Sequence, residues 1–308
     1  MAGVLTWAAW IAGTLAGAAA LGGAFRAVLW RLLRGPVARS FRTMPLSAAF
    51  GMAVIAIYVL VAILAPWIAP YGEREVVGPQ YAPWDGTYWL GTDNLGRDMF
   101  SRLIYGARNT VGIALATTAL AFGVGAALGL TAAALGGWVD MVLSRLVDLL
   151  MAIPALIFSL LLLTLVGASI PNMIMVIALI DATRVFRLAR AVAMDVVVMD
   201  FVEAAKLRGE GLGHIVRREI LPNVMAPLVA EFGLRFCFVF LSISALSFLG
   251  LGIQPPTADW GSMVRDTATL ITFGDITPLL PAGAIALLTV AVNFVVDWQL
   301  HRASGLKD

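Results

Sequence analysis

Uncharged stretches of bilayer length alternate along this chain with shorter polar segments. No Asp, Glu, Lys or Arg falls in residues 1–25, 43–72, 109–139, 149–180, 236–258 or 276–296. Each gap is at least as long as the roughly 20 apolar residues that carry a helix across a ~30 Å hydrocarbon core. Lipid offers no partner to a bare N–H or C=O, so such spans are helices or strands of a closed barrel, and barrel strands would alternate in ~10-residue units. The runs here are continuous, which predicts an all-α bundle with core spans at about 45–66, 109–134, 146–166, 172–190, 222–250 and 277–297. The fourth is the weakest by hydropathy, because Asp181 lies within it and Arg184, Arg187 and Arg190 follow at helical spacing.

Composition agrees: 60% of the 308 residues are hydrophobic and 13% charged, against about a quarter charged in a soluble domain. A net charge of +2 supplies no basic patch for nucleic acid. Where the 21 Lys and Arg lie is more informative, since loops rich in them stay in the cytoplasm. Residues 26–44 carry Arg26, Arg31, Arg34, Arg39 and Arg42 with no acid and read as a cytoplasmic linker. Residues 67–108, with five acids and four arginines, read as an external loop. Seven basic residues between Arg184 and Arg218 mark a second cytoplasmic loop, and residues 301–308 a cytoplasmic tail. The first 25 residues have no basic n-region and an apolar run too long for a secretory signal, so an extra transmembrane helix is expected there. Gly13 and Gly17 form a small-xxx-small pair suited to close docking; a helix lying on the membrane surface is the alternative.

Candidate chemistry is sparse. The sequence has no GxxxxGK[ST] phosphate loop, and residues 209–214 place their third glycine one position early for a dinucleotide fingerprint. His214 and His301 stand far apart on the cytoplasmic side, which leaves no zinc site and no nucleophile pair within the membrane. The single Cys237 excludes an intrachain disulfide framework. Asp93, Arg97 and Asp98, flanked by Gly91 and Gly96, read as charges that tie a loop together; Arg145 and Asp148 read as a helix-end pair.

The informative segment is the second cytoplasmic loop. Phe201 through Arg208 predicts a short amphipathic helix on which Ala204 and Ala205 leave a smooth patch. Gly209 then permits a positive-φ bend, and a second helix from about Leu212 runs to Pro222 at the membrane entry. The result is a bent elbow, either a docking surface or an ordinary surface loop.

The pattern Glu203-Ala204-Ala205, Gly209, Ile215, Leu221-Pro222 resembles the EAA loop of permease subunits in bacterial ABC importers. Residues 90–98, 136–140 and 246–256 resemble the C-type permease of dipeptide, oligopeptide and nickel importers. The similarity covers about residues 36–300 and not the first 25, which the usual member lacks; Arg235 and Ile243 depart from the family pattern. The resemblance implies a six-helix permease domain of the type I importer class at 45–300, with its coupling loop at about 195–223, in the bacterial inner membrane. It implies as partners a homologous second permease, two ATP-binding subunits and an extracytoplasmic solute-binding protein. This chain would then hold no cofactor and catalyse nothing, ATP and Mg being bound by the partner ATPases. Glu203, Ala204, Ala205, Gly209 and Ile215 would form the docking elbow, and Leu221 and Pro222 would anchor it to the fifth core span.

Within the spans, Asp181 and Arg184 are three apart and Glu231 and Arg235 four apart, acid first, the favourable order for a helical pair. An unpaired charge near mid-membrane costs at least about 2.5 kcal/mol, so pairing is expected. These four residues are either neutralised pairs or a polar path for the charged termini of a peptide-like solute. A gradient-driven secondary transporter, using Asp181 and Glu231 as ion sites, is the alternative function; nickel chelates are an alternative cargo. Trp260, Arg265 and Asp266 read either as an outer contact for the binding protein or as a segment that seals the bundle.

Overall fold

A computed structural model describes residues 2–32 and 44–303; Arg34, Arg39, Arg42 and Lys307 of the expected linker and tail lie outside them. Regular structure among the described residues is helical, with two isolated β-bridges, Val76 with Arg97 and Thr92 with Asp98. The fold of the described residues is all-α, with an additional N-terminal helix. Its helices are α1 (Ala2–Leu32), α2 (Leu46–Ile68), α3 (Met99–Leu135), α4 (Gly137–Met151), α5 (Ala155–Val166), α6 (Ile170–Val197), α7 (Asp200–Leu207), α8 (Leu221–Phe248), α9 (Trp260–Thr267) and α10 (Leu279–Ala303).

Four stretches are long and apolar enough to cross a bilayer alone: α2, α3, Leu212–Phe248 and Leu279–Arg302. The expected third span is broken, its halves α4 and α5 bent by 88°. Pro154 stands at the start of α5; lacking an N–H and disfavouring helix in the residue before it, it ends α4. α6 is less apolar, carrying four charges between Asp181 and Arg190, yet one face of it is enclosed, with Val185, Ala189 and Ala193 at 0% exposure.

α3 starts at Met99, ten residues before the expected boundary, because Asp98 caps it by accepting from the Ser101 amide at 2.7 Å. Arg102, expected in a loop, therefore lies in the first turn of this helix. Gly136, at φ 61°, stops the helix.

The chain divides into two compact units. In the first, α1, α2 up to Leu60 and α10 from Ala286, the close approach of α1 is at Gly22. A Cβ there would stand 2.8 Å from the Leu46 carbonyl oxygen, whereas Gly13 and Gly17 meet nothing within 4 Å. Gly22 lies about 140° around the helix from Gly17, so a different face docks. α1 also runs on through Arg26 and Arg31 to Leu32, seven residues beyond the expected boundary at 25, and Arg26 donates to the Met44 carbonyl at 3.1 Å.

The second unit, Val61–Ile285, centres on α3 against α6. Gly125 and Gly129 of α3 let the backbones meet: a Cβ at Gly125 would lie 2.5 Å from the Ala182 carbonyl oxygen, and one at Gly129 2.6 Å from that of Phe186. Small residues bring helices together in a setting where lipid leaves little apolar driving force.

Candidate functional site

The segment between α6 and α8 folds as the expected elbow. Asp200 and Glu203 lie in the first turn of α7 and Lys206 in its last, matching the helix dipole. Alternation of faces divides the expected smooth patch: Val202 and Ala205 are buried, whereas Glu203, Ala204 and Leu207 face outward, Leu207 84% exposed. Ala205 thus belongs to the inner face, and the outer surface is formed by Glu203, Ala204 and Leu207.

α7 closes with paired bonds that satisfy its last carbonyls. The Gly209 amide donates to Lys206 at 3.0 Å and the Glu210 amide to Ala205 at 3.2 Å. This six-to-one and five-to-two pattern requires a left-handed residue, which Gly209 supplies at φ 79°. A single turn, Leu212–His214, leads into a π-helical stretch, Ile215–Ile220, where the Leu221 amide reaches back to Val216. Pro222 follows in the first turn of α8; its ring clashes with the carbonyl four residues earlier, which accounts for the wider turn before it.

The elbow is fixed by packing. Val202, Ala205, Ile215 and Ile220 join one apolar cluster with Leu130 and Ala133 of α3, Val185, Ala189, Ala193 and Val196 of α6, and Val224 and Leu228 of α8; Leu221 packs at its edge. On the surface Arg208 faces Glu210 at 4.0 Å and Glu219 at 3.7 Å, and His214 faces the same two carboxylates at 3.5 and 3.9 Å. Exposed pairs of this kind contribute about 0–1 kcal/mol each, so the apolar cluster does most of the holding.

One turn above that cluster, the four intramembrane charges converge. Arg184 bonds Asp181 at 3.1 Å along α6, and Arg235 meets Glu231 at 2.7 Å along α8. Arg235 also crosses to Asp181 at 3.5 Å and stacks over Phe238 at 4.8 Å. Side-chain exposure separates them: Asp181 3%, Arg235 12%, Glu231 14% and Arg184 38%. Both expected helical pairs are present, and a link between helices that spacing does not disclose joins them.

Nearby, Arg190 holds Asp140 of α4 through both carboxylate oxygens, while no salt bridge joins Arg145 to Asp148. Sequence spacing could not pair residues fifty positions apart; the third arginine of the series Arg184, Arg187, Arg190 was the available signal.

At the opposite end, residues 69–98 and 249–278 pack on the start of α3 and the end of α8. Arg97 pairs with Asp93 at 2.7 Å and Arg102 with the same carboxylate at 3.3 Å, all three nearly inaccessible. Glu73 accepts from Asn109 at 2.8 Å and from the Ala258 amide at 3.1 Å. Asp259 caps α9 through the Ser262 amide at 2.8 Å and accepts from Thr110 at 2.9 Å; burial pushes its carboxyl above the usual aspartate range, against the pull of those donors. Trp260 sits over Gly106 and donates its indole N–H to the Leu103 carbonyl at 2.9 Å. Arg265 bonds Asp266 at 3.0 Å and the Ser247 carbonyl at 3.1 Å. Trp260 and Arg265 therefore fasten this segment onto the bundle. Asp259→Ala is expected to lower stability by about 2 kcal/mol through loss of the cap and of the partner of Thr110. The measurement is the thermal midpoint of the purified protein, and an unchanged midpoint would count against this clamp.

The family model described as "Binding-protein-dependent transport system inner membrane component" matches residues 119–303. The chain is 35% identical over 265 residues to the dipeptide transport system permease protein DppC of Alkalihalophilus pseudofirmus, covering 85% of this chain and 84% of that one. It is 34% identical to the di/tripeptide transport system permease protein DppC of Pseudomonas aeruginosa, covering 84% and 85%. To the probable D,D-dipeptide transport system permease protein DdpC of Escherichia coli it is 31% identical, covering 79% and 82%.

Proposed function

Since the chain belongs to the binding-protein-dependent transport system inner membrane component family, we propose that it is the pore-forming subunit of an ATP-driven importer of di- or oligopeptides. It is a multi-pass transport permease of the bacterial inner membrane. In this proposal it works beside a homologous permease, two ATP-binding subunits that hold ATP and Mg, and an extracytoplasmic solute-binding protein. The supporting observation is the elbow. It presents Glu203, Ala204 and Leu207 outward, it turns on Gly209, and its inner face is continuous with the apolar cluster of α3, α6 and α8. A push on that outer surface reaches three spans through contacts that are already made. The basic linker, the elbow and the C-terminal tail face the cytoplasm in this reading, as the clustering of Lys and Arg requires.

Along the solute path, Arg184 is the member of the charge cluster with free surface, and it would meet the carboxylate terminus of a peptide; Glu231 is the acid nearest to it in exposure. Asp181 is enclosed between Arg184 and Arg235, which disfavours its use as the open ion site of a gradient-driven carrier. Purification of the complex followed by reconstitution tests the assignment. ATP-binding subunits are expected to co-purify, and uptake of dipeptide into vesicles is expected to require ATP. Uptake driven by an ion gradient in vesicles holding this chain without any ATPase would overturn it.

A further inference from the structure

The two stems that carry the elbow, α6 and α8, are held together in two chemically different ways. Nearest the elbow the contact is apolar: Val185, Ala189, Ala193 and Val196 face Ile220, Val224 and Leu228. The next turn is ionic. Arg235 on α8 reaches Asp181 on α6 at 3.5 Å while Glu231 holds it at 2.7 Å and Phe238 covers its face at 4.8 Å. From Asp181 to Val197 is about 24 Å of helix, and from Leu221 to Arg235 about 21 Å, so the bridge joins the stems at nearly equal height above the elbow.

Cohesion alone does not account for charges here. Apolar residues of similar volume hold helices together at least as well as a buried ion pair, whose desolvation consumes most of its attraction. What an ion pair adds is register: apolar surfaces tolerate sliding, whereas a guanidinium set between two carboxylates on different helices has one good axial position. Arg235 also has little surface left for a passing solute, its Nε lying 2.7 Å from the Glu231 carboxylate, its Nη1 3.5 Å from that of Asp181, and its face over a ring.

We propose that Arg235 is a positioning residue that locks the axial register of α6 against α8, so that both stems of the elbow move as a single lever. The inference rests on the ATP-driven reading of the elbow. Without the bridge, displacement of the elbow slides one stem along the other and less of it reaches the membrane half of the bundle.

The test is the number of dipeptide molecules taken up per ATP hydrolysed by the complete reconstituted complex. In the double variant Glu231→Gln with Arg235→Gln, Asp181 keeps Arg184, so no charge is left unpaired. Stimulation of ATP hydrolysis by loaded binding protein is expected to persist, while uptake per ATP falls about fivefold or more. Arg235→Lys, which keeps the charge but reaches one carboxylate at a time, is expected to give an intermediate ratio and serves as the readout if the double variant does not assemble. A wild-type ratio in either variant overturns the proposal. So does a loss confined to peptides of one terminal charge with the ratio for other peptides intact, which would make Arg235 a solute contact. Absence of ATP-dependent uptake in the wild-type complex is a separate result, which rejects the parent reading and the lever with it.

Discussion

Valine at position 209 is expected to abolish uptake while leaving the permease pair assembled. Gly209 sits at φ 79°, with open space where a Cβ would stand, so the penalty is purely conformational. A left-handed backbone costs an ordinary L-residue about 1–2 kcal/mol, and a β-branched side chain more. That cost can be avoided by opening the turn, which releases the bonds from the Gly209 and Glu210 amides to Lys206 and Ala205. The outward face formed by Glu203, Ala204 and Leu207 would then point elsewhere, although the apolar cluster beneath remains. Uptake should fall at least tenfold, a change worth about 1.4 kcal/mol, with co-purification of the ATP-binding subunits reduced or lost and the two permeases still associated. Gly209→Asn is the control, because asparagine visits this region readily and should retain most activity. Normal uptake by the valine variant would remove the elbow from the transport cycle.

Leucine at position 125 is expected to prevent accumulation of folded protein. A Cβ there would lie 2.5 Å from the Ala182 carbonyl oxygen and 2.7 Å from the Val185 Cβ, both on α6 and neither able to yield. Overpacking a close interface typically costs about 1–3 kcal/mol, and here the added atoms meet backbone, so the upper end or beyond is expected. Separation of α3 from α6 would also open the cluster that supports the elbow. Gly123, two residues earlier on the same helix, meets nothing within 4 Å, so Gly123→Leu should be tolerated. Membrane-fraction yield and the thermal midpoint in detergent discriminate the two. Equal behaviour would show that the α3 to α6 approach is not what specifies the bundle.

The elbow was legible because its determinants are local: an amphipathic octamer, a glycine where the chain must turn left, and a proline at the next helix entry. The spans were legible because lipid excludes charge over a fixed length. What escaped the sequence depends on partners distant along the chain. Arg102, inside the stretch that reads as an external loop, belongs to the first turn of α3 and pairs with Asp93. The break at Pro154 was hidden by an uncharged run on both sides, since hydropathy counts residues and does not see direction. The pairing of Arg235 with Asp181 joins positions 54 apart, and no helical spacing rule reaches that far. Ala205 faces inward because the phase of α7 is set by Val202 and the cluster below, which composition alone does not fix. On α1 the small pair at Gly13 and Gly17 meets open space within this chain, and the close approach to α2 is at Gly22.

The clamp around Trp260 gives the two extremities of Val61–Ile285 unlike mechanical characters. Indole on carbonyl, carboxylate on hydroxyl and guanidinium on carboxylate constrain angle as well as separation, so that extremity behaves as a fixed mount. The other is seated on aliphatic side chains, which constrain separation and leave rotation comparatively free. Equal torque at both would turn the aliphatic seat further, making it the compliant bearing and the tryptophan end the reference against which motion is measured.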